Sequence, residues 1–173
     1  PHGFRARLAI GTALATIAFG YGRGVAYAGA CTGSVGVYSC SGAAAGDTTQ
    51  VLSGPSLAVT TNSGFGVSTA TGNALSLTSS SGITFTDTHA STITGAEKGI
   101  RAVNSSAGSV SITTTGAVTG NSSNGIFAVN NGNGTLSVTA TGPVTGKVGD
   151  GIRAYNHPVG QGTLTVTAGS VAG

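Results

Sequence analysis

The chain has 173 residues, a formal net charge of +3 and only 6% charged side chains, against about a quarter in an average soluble domain. Arg5, Arg7 and Arg23 lie near the start, and beyond Ala28 the cations Lys98, Arg101, Lys147 and Arg153 are balanced by Asp47, Asp87, Glu97 and Asp150. A neutral body without clustered Lys or Arg excludes a nucleic-acid-binding surface, and Ser, Thr, Asn and Gly must do the solvating.

The first segment reads as a secretory leader. Arg5 and Arg7 precede the apolar run Leu8 to Phe19, and Ala26-Tyr27-Ala28 has the small-x-small form of a cleavage site, placing a signal peptide over 1–28 with a cut near Ala28. The run is too short to span a bilayer as a helix, which needs about 20 residues. Cys31 and Cys40 come directly after it. In an oxidising compartment the pair closes a short disulfide hairpin, a cap over 29–49 that covers the open N-terminal end of the strands beyond it. The other reading makes Ala28-Gly29-Ala30-Cys31 a lipoprotein processing site and leaves Cys40 free, although Ala28 is a poor match for the apolar residue usual three places before such a cysteine.

Regular strands are expected from about residue 50, with Val51-Leu52 and Leu57-Ala58-Val59 opening the pattern. Phe65 and Val67, Leu75 and Leu77, Ile83 and Phe85, and Ile93 read as the strands of one irregular coil, with a long excursion because Gly64 lies 35 residues before Gly99. From Gly99 the chain repeats. Gly99-Ile100-Arg101-Ala102, Gly125-Ile126-Phe127-Ala128 and Gly151-Ile152-Arg153-Ala154 recur at 26-residue spacing, and 13 of the 22 residues in 99–120 match those in 125–146. The third copy is two residues longer between Asn156 and Thr163, in a turn. Apolar residues alternate within each copy, the period of a half-buried strand, and Asn, Ser and Gly clusters separate three short strands. This period and strand count predict an all-β chain, a right-handed parallel β-helix over 50–173 with about 26 residues per coil, preceded by the signal-peptide helix. A single coil buries too few side chains to offset its backbone entropy, so stability must come from stacking. Val171-Ala172-Gly173 corresponds to Val144-Thr145-Gly146, so the sequence reads as a fragment truncated within a repeat.

Stacking turns a period of 26 into columns of neighbours. Asn104, Asn130 and Asn156 form one column, expected to tile a turn as an amide ladder. Arg101, Phe127 and Arg153, with Val103, Val129 and Tyr155 beside them, form the most varied outward strip and the place to look for a partner. Thr113 and Thr115, Thr139 and Thr141, and Thr167 resemble the Thr arrays of ice-binding proteins, although Gly169 breaks the series and high strand propensity alone explains Thr there.

Chemistry is sparse. Glu97 and Asp150 precede equivalent strands two coils apart, roughly 10 Å by strand spacing, near the upper limit for an inverting carboxylate pair; solvated turn charges are the better reading. His89 and His157 have no second His or Cys at ligand spacing, so no metal, cofactor or catalytic residue is expected. Asn104, Asn121 and Asn133 begin Asn-x-Ser/Thr triplets that this composition produces by chance.

The leader, the Cys31/Cys40 pair, the phrase Gly82-Ile83-Thr84-Phe85-Thr86-Asp87 running into Ser91-Thr92-Ile93-Thr94-Gly95, and the repeated Gly-Ile-x-Ala-x-Asn with Val-Thr-Ala-Thr-Gly-x-Val-Thr-Gly resemble the N-terminal part of an autotransporter (type V secretion) passenger domain of Gram-negative bacteria. The resemblance covers the body after the leader and implies export by the inner-membrane secretion machinery, then delivery to the cell surface through the protein's own C-terminal outer-membrane β-barrel, a segment not within these residues. It implies a surface-exposed stalk or adhesin without catalytic activity, whose partner is a host or abiotic surface or a glycan. The alternatives are a polysaccharide-acting β-helix enzyme with its active site beyond residue 173 and, less favoured, an ice-binding Thr array.

Overall fold

The computed structural model describes residues 29–43, 45–157 and 162–173. The expected signal peptide and Pro158 of the lengthened turn lie outside them. Among the described residues the secondary structure is all strand. In chain order, β1 (Ala30–Ser34) and β2 (Val37–Ser41) form an antiparallel hairpin, and β3 (Ala45–Asp47) comes after it. Five coils of three strands come next: β4 (Gln50–Gly54), β5 (Leu57–Thr61) and β6 (Gly66–Thr69); β7 (Leu75–Ser79), β8 (Ile83–Asp87) and β9 (Thr92–Gly95); β10 (Ile100–Asn104), β11 (Val110–Thr114) and β12 (Val118–Gly120); β13 (Ile126–Asn130), β14 (Leu136–Ala140) and β15 (Val144–Gly146); β16 (Ile152–Asn156), β17 (Leu164–Ala168) and β18 (Val171–Ala172). Each strand pairs in parallel with its equivalent one coil on. Three sheets result: sheet 1 is β4-β7-β10-β13-β16, sheet 2 is β1-β2-β5-β8-β11-β14-β17, and sheet 3 is β3-β6-β9-β12-β15-β18. The chain is a parallel β-solenoid with about 26 residues per coil.

The strands of sheets 1 and 2 in the third and fourth coils alternate buried with half-buried residues along their whole length. Their inward residues stack as Leu75–Ile100–Ile126, Ile83–Val110–Leu136 and Phe85–Ile112–Val138, joined by Val67–Ile93–Val118–Val144 from sheet 3. All are at most 2% exposed, and each such side chain stabilises the fold by roughly 1.5–3 kcal/mol. Burial is supplied by the next coil. Val138 is fully covered, whereas Val166, its counterpart in β17, is 45% exposed.

The recurring Gly before Ile has a steric cause. A Cβ on Gly125 would lie 2.7 Å from both the Gly151 carbonyl oxygen and Val144 Cγ1, and Gly99 meets the same obstacle in Val118 Cγ1 and the Gly125 oxygen. In these coils glycine leaves room for the close approach, while the equivalent position in the second coil is filled by the small Ala74.

Two expectations are corrected. Regular stacking begins before residue 50, because β2 and β3 already pair in parallel with β5 and β6. The hairpin is therefore continuous with the solenoid as well as capping it. The long excursion between Gly64 and Gly99 does not exist: Leu75 pairs with Ile100 in sheet 1, while Val67 pairs with Ile93 in sheet 3. Phe65 and Val67 belong to the third strand of the preceding coil, and the repeat stays near 26 throughout.

Cys31 and Cys40 lie directly opposite in the hairpin and form a disulfide. Such a bond places the folded chain in a non-reducing environment. Gln50 ties the hairpin down, its Oε1 accepting from the Cys31 N–H at 3.0 Å while its Nε2 donates to the Thr48 carbonyl. The connecting turn has positive φ at both Val35 (50°) and Gly36 (81°), the signature of a type I′ turn. Gly36 adopts it freely, but the β-branched Val35, 92% exposed, is strained there.

Candidate functional site

In most coils the first or second strand ends with an inward polar residue, and these positions carry the buried polar chemistry. In sheet 1 the position is Ser79, then Asn104, Asn130 and Asn156. Asn104 Nδ2 donates to Asn130 Oδ1 at 2.8 Å, and Asn130 Nδ2 donates to Asn156 Oδ1 at 3.1 Å. The same amides hold the adjoining turns: Asn104 Nδ2 reaches the Ala107 carbonyl, Asn130 Oδ1 accepts from the Gly132 N–H, Asn130 Nδ2 reaches the Gly134 carbonyl and Asn156 Nδ2 the Gly162 carbonyl. These residues are the last of their strands, and their amides both stack coil on coil and hold the turn that follows; Asn104 and Asn130 are fully buried. They order the fold and offer nothing to a ligand.

In sheet 2 the corresponding position is Thr61, Asp87, Thr114 and Ala140. Asp87 is the buried functional group that sequence reasoning counts only as charge. Its Oδ1 accepts from Thr61 Oγ1 one coil before (2.7 Å), from Ser91 Oγ (2.8 Å) and from the His89 N–H (3.2 Å); its Oδ2 accepts from Thr114 Oγ1 one coil after (3.1 Å) and from the Gly116 N–H (3.2 Å). Burial pushes the carboxyl pKa up, but the Thr61 and Ser91 hydroxyls and the His89 and Ser91 amides outweigh it, leaving the group at about 2. A carboxylate so ringed by donors stays ionised at neutral pH and clasps three coils together. Its one signal in the sequence is the inward place it takes in the alternation Ile83-x-Phe85-x-Asp87.

The outward strip lies on sheet 1. Arg101, Phe127 and Arg153 stack in one column, and Val103, Val129 and Tyr155 in the next. Phe127 and Tyr155 meet edge to face at 6.3 Å between centroids, and Tyr155 stacks with His157 at 6.0 Å. Lys98 Nζ stands 5.9 Å from the Phe127 centroid, and the Arg153 guanidinium 5.2 Å from that of Tyr155, whose hydroxyl accepts from Arg153 Nε. Cation–π contacts of this kind contribute about 0.5–1 kcal/mol each at exposed sites. Arg153 is also 3.9 Å from Asp150, the one ion pair among the described residues.

The outer face of sheet 2 is of another kind. Thr60, Thr86, Thr113, Thr139 and Thr167 form one column, and Thr84, Ser111, Ser137 and Thr165 a second. A third, Ser109–Thr135–Thr163, flanks the strands, with Thr135 N donating to Ser109 Oγ at 3.0 Å. Thr115 and Thr141 continue the face beyond the ends of β11 and β14; Thr115 Oγ1 accepts from the Ala90 N–H, which supports a non-glycine residue at φ 52°.

The remaining candidates do not converge. Glu97 is exposed, and Asp150 is engaged by Arg153 and, at 3.4 Å, by Asn124 Nδ2. His89 is exposed with Nδ1 3.5 Å from Thr88 Oγ1, and His157 belongs to the aromatic strip. Among the described residues no three His, Cys, Asp or Glu side chains gather as a metal site. Of the three Asn-x-Ser/Thr triplets, Asn104 is buried and Asn133 is exposed at the rim of an open groove lined by Ser105, Ser106, Ala107, Asn131 and Gly132. No protein family, curated protein or solved structure matches the chain.

Proposed function

We propose that the chain is an exported, surface-exposed β-helical passenger segment of an autotransporter, a non-catalytic stalk or adhesin. The observation that carries this reading is the in-register stacking of repeated coils, which supplies length, combined with an outer face of sheet 1 on which Arg101 is replaced by Phe127 and then Arg153. Stacked coils add reach by about 4.8 Å each, and a repeated face makes weak contacts count together. The disulfide is consistent with folding outside the cytoplasm. The test is expression of the gene in a Gram-negative host with a tag inserted in the exposed turn at Ser122. The expected outcome is a tag that external protease removes from intact cells; a tag protected in the cytoplasm, with both cysteines reduced, contradicts the reading.

A second reading is favoured by one specific observation. The hydroxyl columns of sheet 2 make a neutral lattice with spacings of about 4.8 Å along the coil axis and about 6.6 Å along the strand, the kind of ordered array that engages ice. Ice growth slowed by the chain and restored by Thr139→Lys supports it; growth unaffected by the chain rules it out.

A further inference from the structure

Among the described residues four side chains are Lys or Arg, and three of them, Lys98, Arg101 and Arg153, which lie apart in the sequence and show no cluster there, are brought by stacking to the outer face of sheet 1. The aromatic residues divide in the same way. Phe65 and Phe85 are buried and Tyr38 packs against the core, while Phe127 and Tyr155 stand on this one outer face with His157 beside them. In one column a cation, a ring and a cation follow at successive coils, Arg101, Phe127 and Arg153. Its negative neighbours are Asp150, beside Arg153, and Glu97, next in sequence to Lys98. Arg101 has no carboxylate within salt-bridge distance among the described residues.

We propose that this strip binds an acidic polysaccharide, a uronate polymer lying along the coil axis; the proposal rests on the surface-exposed reading above and names the ligand class of its contact strip. The chemistry matches part by part. A pyranose ring presents a face of C–H groups that packs on an aromatic ring, as on Phe127 and Tyr155. A uronate carboxylate suits the planar fork of a guanidinium, which binds it through two parallel N–H donors. Arg101 and Arg153 are two coils apart, roughly 10 Å, so carboxylates on alternate sugars of an extended chain reach both while the intervening sugar covers Phe127. Charge selects the class, because a neutral glycan leaves Arg101 unanswered. Asp150 already shares Arg153, so Arg101 is the stronger anchor.

The test measures binding of the full oxidised chain to polygalacturonate and to the same polymer with its carboxylates methyl-esterified, which keeps the rings and removes the charge. Binding to the acid form should weaken at least tenfold on esterification and fall with rising salt. Arg101→Gln and Phe127→Ala should each weaken it by about tenfold, while Ser137→Ala on sheet 2 leaves it unchanged; circular dichroism checks that each variant keeps its strands. Absence of binding to polygalacturonate, equal binding to the ester, or indifference to both strip substitutions in folded protein overturns the proposal. Protease shaving of cells carrying the unsubstituted chain separates the two readings. A chain at the surface that ignores the polymer defeats only the ligand assignment, and a chain that binds the polymer but stays inside the cell defeats only the surface reading.

Discussion

Sheets 1 and 2 are built from strands of equal length in the same coils, yet they differ on both faces. Sheet 1 carries cations and rings outside and a repeated amide ladder inside; sheet 2 carries hydroxyls outside and a single carboxylate inside. The inward aliphatic columns are alike, because stacking requires it. The difference lies where stacking leaves a choice, at the outward positions and at the inward residue that ends each strand.

The largest effect expected from breaking this comparison is at Asp87. Asp87→Ala removes the acceptor of hydroxyls and amides from three coils and leaves them buried without partners. It should cost about 3–5 kcal/mol of unfolding free energy, read from denaturant titration. Asn130→Ala interrupts the sheet 1 ladder and frees the Gly132 amide, at a cost of about 2–3 kcal/mol, smaller because no charge is involved. Equal losses at the two positions would mean that the charge adds nothing to the hub.

Acid titration sharpens the same contrast. The Asp87 pKa is lowered from its ordinary 3.8 to about 2 in the fold. The unfolded chain therefore binds the proton first, and the stabilisation is fully present above about pH 4 and lost as pH falls through about 2. The loss should be on the order of 2–3 kcal/mol and absent from Asp87→Asn. A wild type as flat as the variant over that window would contradict the hydrogen-bonded hub. The smallest effect is at the hairpin that extends sheet 2: Val35→Asn should stabilise by about 1 kcal/mol, since Asn tolerates the left-handed angle that strains Val. A destabilised variant would argue against the type I′ turn.

How much of this is legible in the sequence depends on repetition. The strands and the coil length are readable from 99 onward because apolar alternation and the Gly-Ile phrase recur, and the Asn column can be found because three copies share it. In the second coil the guide fails: Ala74 occupies the position taken by Gly99, and apolar pairs from all three sheets look alike, so pattern alone puts Phe65 and Val67 in the wrong strand. Asp87 escapes because its neighbours in the column are Thr61 and Thr114. A residue unlike its equivalents leaves no periodic signal, and its role exists only once the coils are stacked. Sheet 2's hydroxyl face is partly visible through Thr113 and Thr139, but the parallel register is needed to add Ser111, Ser137 and Thr84.

Both faces depend on residues 26 apart being neighbours, and cysteine pairing tests that directly. Ser111 and Ser137 are register partners in sheet 2, close to the separation a disulfide spans. Ser111→Cys with Ser137→Cys should oxidise to a cross-link identified by peptide mass spectrometry, alongside the native Cys31–Cys40 bond. Ser111→Cys with Thr165→Cys, two coils apart and roughly 10 Å distant, should not. Cross-linking of the distant pair in preference to the adjacent one would contradict the solenoid register and every surface assignment built on it.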